Sequence, residues 1–284
     1  MTTPEERVKV LKAENQRLEQ YLHTLSQEAW NHPSTCDQWT VADVIAHLTA
    51  ANRNYATWIT DALQADIVTP ESLPRRSHER VDAPAAAQRV IAWRKELGNQ
   101  LLSAFVKANR AMEHALDQVG PHDWEKLCYR TTGAEPIGNI LDTFIDTFIA
   151  DVGVHRWDVI YPFDPHVKLS QDCLAVMVER YPHRPRWWDI ALPPHHPLLP
   201  VRFRFTVSGV TAPGTDFVIA TQEEKYMEVA GDLPANVTFR CDAETFVLIA
   251  YGRIRPESAI SKGMLTYEGE EEWAEIFIRS YIGG

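Results

Sequence analysis

Asp151-Val152-Gly153-Val154-His155 decides how this chain is read, together with Thr40-Val41-Ala42-Asp43-Val44-Ile45-Ala46-His47-Leu48-Thr49 far earlier in the sequence. Residues four apart share one face of a helix, so Asp151 and His155 project side by side. His47 belongs to a second strongly helical segment. If the two helices pack, one carboxylate and two imidazoles converge on one divalent metal. Three protein ligands leave a coordination position open, which separates a catalytic metal from a structural one. Apolar neighbours sharpen this reading. Phe148, Ile149 and Val152 flank the Asp151/His155 pair, and Val44, Leu48 and Ala51 flank His47. A carboxylate beside a buried stripe needs a strong partner. The same residues also fit a buried histidine hydrogen-bonded to a carboxylate, with no metal.

Working outward, the first half is patterned for four long helices. Thr3 before Pro4-Glu5-Glu6 is a helix start, with acids in the first turn. Val8, Leu11, Leu18, Leu22 and Leu25 then recur at near-helical spacing, predicting a helix over 4–28. Thr40 caps a second helix, with Asp43 in its first turn, running to about residue 65. A third is predicted from Pro84 to Val119, stopped by Gly120-Pro121. A fourth runs from Pro136 to Ile160 and carries Asp151 and His155. Residues 66–83 and 121–135 read as irregular segments. Four long helices with polar connections make a four-helix bundle, in whose core metal sites assemble from facing helices.

After Pro162-Phe163-Asp164-Pro165 the texture changes. The segment 169–181 reads as a short helix. Val201-Arg202-Phe203-Arg204-Phe205-Thr206-Val207 alternates with period two and reads as a strand. Residues 216–220, 225–230 and 236–241 are further strands, and 242–251 and 270–282 are helices. The expected organisation is a helical domain over 1–163 and a smaller α+β domain over 164–284.

Composition narrows the function classes. The formal net charge of −11 argues against nucleic acid and anionic membranes as partners. No apolar run is long enough to span a bilayer, and the N-terminal stretch lacks the apolar core of a signal peptide. Cys36, Cys128, Cys173 and Cys241 are scattered, which fits reduced thiols and argues against a cysteine zinc site. A cytoplasmic protein is expected.

Other motifs carry less. His195-His196 between prolines, with His183 nearby, reads as a solvated loop. Trp30, Trp39, Trp58, Trp157, Trp187 and Trp188 either line a pocket or fill the core. Arg156 and Asp158 are read as pointing away from His155, by default as structural ion-pairing residues, with Asp158 still able to serve a neighbouring helix. There is no H-E-x-x-H, G-x-S-x-G, P-loop or G-x-G-x-x-G. Tyr251-Gly252-Arg253-Ile254-Arg255-Pro256 places two arginines in a loop after a helix. Guanidinium forks match carboxylates bidentately, so Arg253 and Arg255 are candidate groups for an acidic substrate; a solvated basic loop fits equally.

The stretch from Trp30 through Trp39-Thr40-Val41, Asp43 and His47, paired with Asp151, His155-Arg156-Trp157-Asp158, resembles the mycothiol-dependent maleylpyruvate isomerase family. Its N-terminal domain is a DinB-like metal-binding four-helix bundle. Ala243 to Arg253, followed by Gly263, Leu265 and Gly269, resembles the sterol-carrier-protein-like domain that accompanies it. The resemblance spans nearly the whole chain. It implies three metal ligands at His47, Asp151 and His155. The carboxylate ligand of the family is usually glutamate, and Asp151 is one methylene shorter.

The resemblance also implies a divalent metal such as zinc and a low-molecular-weight thiol such as mycothiol. Metal coordination lowers a thiol pKa and keeps a thiolate at neutral pH. Thiolate attack on a small electrophilic substrate gives cis/trans isomerisation when addition, rotation and elimination follow in turn. Without elimination it gives an S-conjugate. Arg253 or Arg255 is expected to hold a carboxylate of substrate or thiol between the domains. A non-catalytic binder of an apolar ligand with a relic metal site, and a metal-dependent hydrolase using water, are the alternatives.

Overall fold

A computed structural model describes residues 2–36, 38–64, 83–130, 137–183, 199–221 and 224–281. The expected loop over 66–83 falls almost wholly outside the described residues, as do Trp187, Trp188, His195 and His196. The chain forms two compact units, Thr2–Val167 and Lys168–Gly284.

The first unit is built on α1 (Pro4–Leu22), α2 (Val41–Gln64), α4 (Leu101–Leu116) and α5 (Leu141–Ile160), with α3 (Ala83–Leu97) laid against α2. Each long helix packs on two of the others: α2 on α4 and α5, and α1 on α5 and α4. Leu11, Leu18, Val44, Ile45, Leu48, Phe105, Met112, Ile145, Phe148 and Ile149 fill the core. Thr3 closes α1 with a capping box, its hydroxyl accepting from the Glu6 backbone while the Glu6 carboxylate accepts from the Thr3 N–H. Thr40 and Asp43 form the same reciprocal arrangement at the start of α2.

Charged side chains also cross the packed helices. Arg7 of α1 is 1% exposed and ion-paired to Asp142 and the buried Asp146 of α5. Arg156 of α5 donates to Glu14 of α1 at 2.8 Å, the structural pairing expected for it.

Three boundaries differ from the predicted ones. The first helix ends at Leu22, where turns take over and the Thr24 hydroxyl bonds back to the Tyr21 carbonyl. The single helix expected over 84–119 is broken into α3, a 3₁₀ turn at Gly98–Gln100 and α4. Gly98 sits at φ 48°, a left-handed conformation that ends α3. The fourth helix begins at Leu141 rather than Pro136. The residues before it form strand β2 (Ile137–Ile140), paired antiparallel with β1 (Leu127–Arg130). The N–H groups of Leu141 and Asp142 are bonded to the Lys126 and Trp124 carbonyls, so the hairpin delivers the chain directly into α5.

The second unit is α+β. After α6 (Gln171–Arg180) come β3 (Val201–Ser208), β4 (Thr215–Ile219), β5 (Lys225–Val229) and β6 (Val237–Asp242). Then follow α7 (Ala243–Ala250), α8 (Pro256–Ser261), β7 (Leu265–Gly269) and α9 (Glu271–Ser280). The sheet order is β5-β4-β3-β6-β7, with β3 and β6 parallel and the other pairs antiparallel. Phe203, Phe205, Phe217, Phe239, Phe246 and Phe277 are all buried and build one aromatic core. On β3, Arg202 and Arg204 alternate with those phenylalanines and bind the fully buried Asp216 of β4. Alternation along β3 thus sends one set of side chains to the core and the other to a charge cluster.

The short strand β7 and helix α8 were not anticipated. Gly269 at the end of β7 has φ 116°, and a Cβ there would meet the Asn236 carbonyl oxygen at 2.2 Å. Only glycine lets β7 lie this close to the neighbouring strand.

Candidate metal centre

Helix α2 presents His47 and helix α5 presents Asp151 and His155. Asp151 Oδ1 lies 3.6 Å from His47 Nε2 and 3.8 Å from His155 Nε2. The two imidazoles stand edge to face, with centroids 4.9 Å apart. Zinc bonds of the usual length in a tetrahedral site separate neighbouring ligand atoms by about 3.4 Å. The two nitrogens and one oxygen are therefore spaced as ligands, and too far apart for direct hydrogen bonds of normal length. The residues present fit a divalent metal. Side-chain exposures of 31% for His47, 23% for Asp151 and 12% for His155 leave the cluster partly accessible to solvent.

Asp151 has a second anchor. Its Oδ2 accepts the Tyr55 hydroxyl at 2.7 Å. Tyr55 lies two turns beyond His47 on α2, and its ring stacks on Phe148 of α5 at 3.7 Å. Desolvation pushes the Asp151 carboxyl upward. The imidazole of His47, then that of His155, and the Tyr55 hydroxyl outweigh it, holding Asp151 ionised well below the usual carboxylate range. Its free oxygen faces both histidines while the other is tied down. The Trp39 ring lies against His47, with its centroid 5.3 Å away.

The outer nitrogen of His155 is also engaged. Nδ1 lies 2.8 Å from Asp158 Oδ2, and the Cys36 sulfur lies 2.9 Å from that same oxygen. Asp158 had been expected to point away from His155. Residues three apart on a helix are neighbours, and the carboxylate folds back along α5 to meet the imidazole. Cys36, His155 and Asp158 make a second cluster of potential ligands that shares His155 with the first.

Residues 11–160 match the family model for the mycothiol maleylpyruvate isomerase N-terminal domain. The chain belongs to this family. The matched segment carries all three candidate ligands. Two solved structures resemble the whole chain: a mycothiol-dependent maleylpyruvate isomerase and a histidine-to-alanine mutant of it. Each shares 14% identity at a TM-score of 0.58, covering 95% of this chain and 97% of the other. At that identity the likeness speaks for the fold. No match was found among curated proteins.

Asp151 faces both histidines with Oδ1 while the Tyr55 hydroxyl holds Oδ2.

Arg253 and Arg255 belong to the second unit, in the turn between α7 and α8. Arg253 donates to the Tyr251 carbonyl of its own turn at 2.6 Å, and Arg255 is exposed at the start of α8. A separate cleft of about 650 Å³ in the first unit is lined by Leu25, Trp30, Arg94, Lys95, Asn99 and Leu102, among others. None of the three candidate ligands lines it.

Sequence reasoning missed Tyr55, Cys36 and the direction of Asp158. The stripe Asn52, Tyr55 and Ile59 on α2 held a signal for Tyr55, since these residues face the same interior as Leu48. Cys36 lies in an irregular loop where no periodicity betrays contacts.

Proposed function

We propose that this chain is a metal-dependent enzyme that uses a low-molecular-weight thiol of the mycothiol type to isomerise, or to transfer sulfur onto, a small electrophilic substrate. The observation that carries this reading is the geometry of His47, Asp151 and His155 inside a maleylpyruvate isomerase family domain. Two imidazole nitrogens and one carboxylate oxygen lie within 4.8 Å of one another, and all three side chains are partly exposed.

His47, Asp151 and His155 would hold the metal, zinc being the first candidate from its two nitrogen and one oxygen donors. When bound, a divalent cation lowers the pKa of a coordinated thiol and supplies a thiolate at neutral pH. The protein's contribution is to fix the donors. Tyr55 orients Asp151, and the Phe148 ring that stacks on Tyr55 keeps its hydroxyl in place. His47 and Asp151, the more exposed two of the three, leave room for a thiol and a substrate to approach. Arg253 and Arg255 are the candidate carboxylate-binding groups.

The test is turnover of a small cis-alkene carrying a conjugated carbonyl, with and without added thiol, in wild type and His47→Ala. Thiol-dependent turnover in wild type and its loss in the variant are expected. Full thiol-dependent activity in His47→Ala, or activity indifferent to thiol, contradicts the reading.

A further inference from the structure

The two clusters meet at His155 and use opposite nitrogens of one ring. Nε2 faces Asp151, and Nδ1 faces Asp158. We infer that Asp158 is a positioning residue that holds His155 in the Nδ1–H tautomer and so aims the Nε2 lone pair at the metal centre. This rests on His155 being a ligand through Nε2.

Asp158 has a side-chain exposure of 0%. A carboxylate buried to that extent must be met by donors. Its Oδ2 receives the Cys36 thiol at 2.9 Å and lies 2.8 Å from His155 Nδ1, while its Oδ1 accepts the Thr35 hydroxyl. The Thr35 N–H also bonds the Asp158 main-chain carbonyl at 3.3 Å, tying the loop to α5 twice. A carboxylate only accepts hydrogen bonds. At 2.8 Å, Nδ1 must therefore carry the proton, since two lone pairs would otherwise face each other. A neutral imidazole with its proton on Nδ1 has its lone pair on Nε2. Carboxylates placed behind ligand histidines commonly fix ring orientation and raise ligand basicity in this way. The loop Thr35–Cys36 is the second half of the device: its hydroxyl and thiol hold the carboxylate that holds the ring.

The alternative use of the same atoms is a second metal bound by Cys36, His155 and Asp158. The observed contacts favour the positioning role. Nδ1 to Oδ2 and sulfur to Oδ2 are at hydrogen-bonding distance, and Asp158 is sealed from solvent.

The test uses the metal-free full chain. Nitrogen-15 NMR of the histidine rings at mildly alkaline pH reports the tautomer directly, with the His155 signals identified by their loss in His155→Gln. The Nδ1–H form is expected in wild type; the Nε2–H form overturns the proposal. This readout needs neither metal nor activity, so it stands or falls apart from the proposed reaction. In addition, zinc affinity of Asp158→Asn, measured by competition with a chromophoric chelator, is expected to fall about 10- to 100-fold. An unchanged affinity in the folded variant overturns the proposal. So does a second equivalent of cobalt(II) giving thiolate charge-transfer absorption in wild type, which would assign Cys36 and Asp158 to metal binding.

Discussion

The Tyr55 hydroxyl donates to Asp151 Oδ2 at 2.7 Å, joining α2 to α5 directly behind the atoms that face the two histidines. The carboxylate is thereby held with one oxygen occupied and the other presented. Tyr55→Phe removes this bond and keeps the ring that stacks on Phe148. Zinc affinity is expected to drop by about tenfold or more, the usual loss when a partner behind a metal ligand is removed, with little change in thermal stability of the metal-free protein. Calorimetric zinc titration of both proteins checks this. Equal affinities would show that Asp151 is held by other contacts.

The Arg7 ion pair with Asp146 is almost wholly buried, with side-chain exposures of 1% and 2%. Taking away Arg7 removes the buried guanidinium that Asp142 and Asp146 share. Arg7→Met is expected to cost about 3–5 kcal/mol. Replacing the buried pair together, Arg7→Met with Asp146→Leu, is expected to recover part of that loss, the Arg7–Asp142 pair being absent in both variants. Urea unfolding of the single and double variants measures both. A double variant as unstable as the single one contradicts the buried-charge explanation.

Asp43 gives the first unit a pH dependence of defined sign. Desolvation raises its pKa, but the Thr40 hydroxyl, the Thr40 N–H and Arg94 together lower it below the usual value. A folded-state pKa depressed below the unfolded one adds stability above the unfolded value of about 3.9. That stability is lost as pH falls through the folded pKa. Asp43→Asn is therefore expected to be less stable than wild type at neutral pH, by about 1–2 kcal/mol from the weakened cap and the lost Arg94 partner. The gap should close in strong acid. A gap that stays constant with pH would remove Asp43 from the account.

The thiols should differ sharply in reactivity. Burial pushes the Cys241 thiol up to about 12, with Asp242 adding to the effect. Cys241 and the fully buried Cys173 are expected to resist alkylation in the native protein, whereas Cys36 is partly exposed and should react. Mass mapping after brief iodoacetamide treatment checks this. Native labelling of Cys241 at the rate of Cys36 contradicts it.

The helical face of the first unit was legible because His47, Asp151 and His155 lie on strongly periodic helices whose apolar stripes fix which side turns inward. The period-two run at Val201–Val207 announced the sheet for the same reason. What escaped notice depended on single conformations or on distant pairing. Gly98 breaks a continuous apolar stripe through one positive φ, which the pattern of leucines cannot report. The strand Ile137–Ile140 takes its form from pairing with Leu127–Arg130, not from alternation of its own. The candidate site was legible in the three residues that the two helices bring together, and illegible in their supports. Tyr55 and Asp158 read as ordinary helix residues until α2, α5 and the loop at Thr35–Cys36 are brought together.

Metal content decides most directly whether His47, Asp151 and His155 form a working centre. Plasma mass spectrometry should compare wild type and His47→Ala, both purified without chelator or metal-affinity tag. Near-stoichiometric divalent metal in wild type, lost in His47→Ala, is the expected result. No metal in wild type after zinc is added back, or equal metal in both proteins, would contradict it.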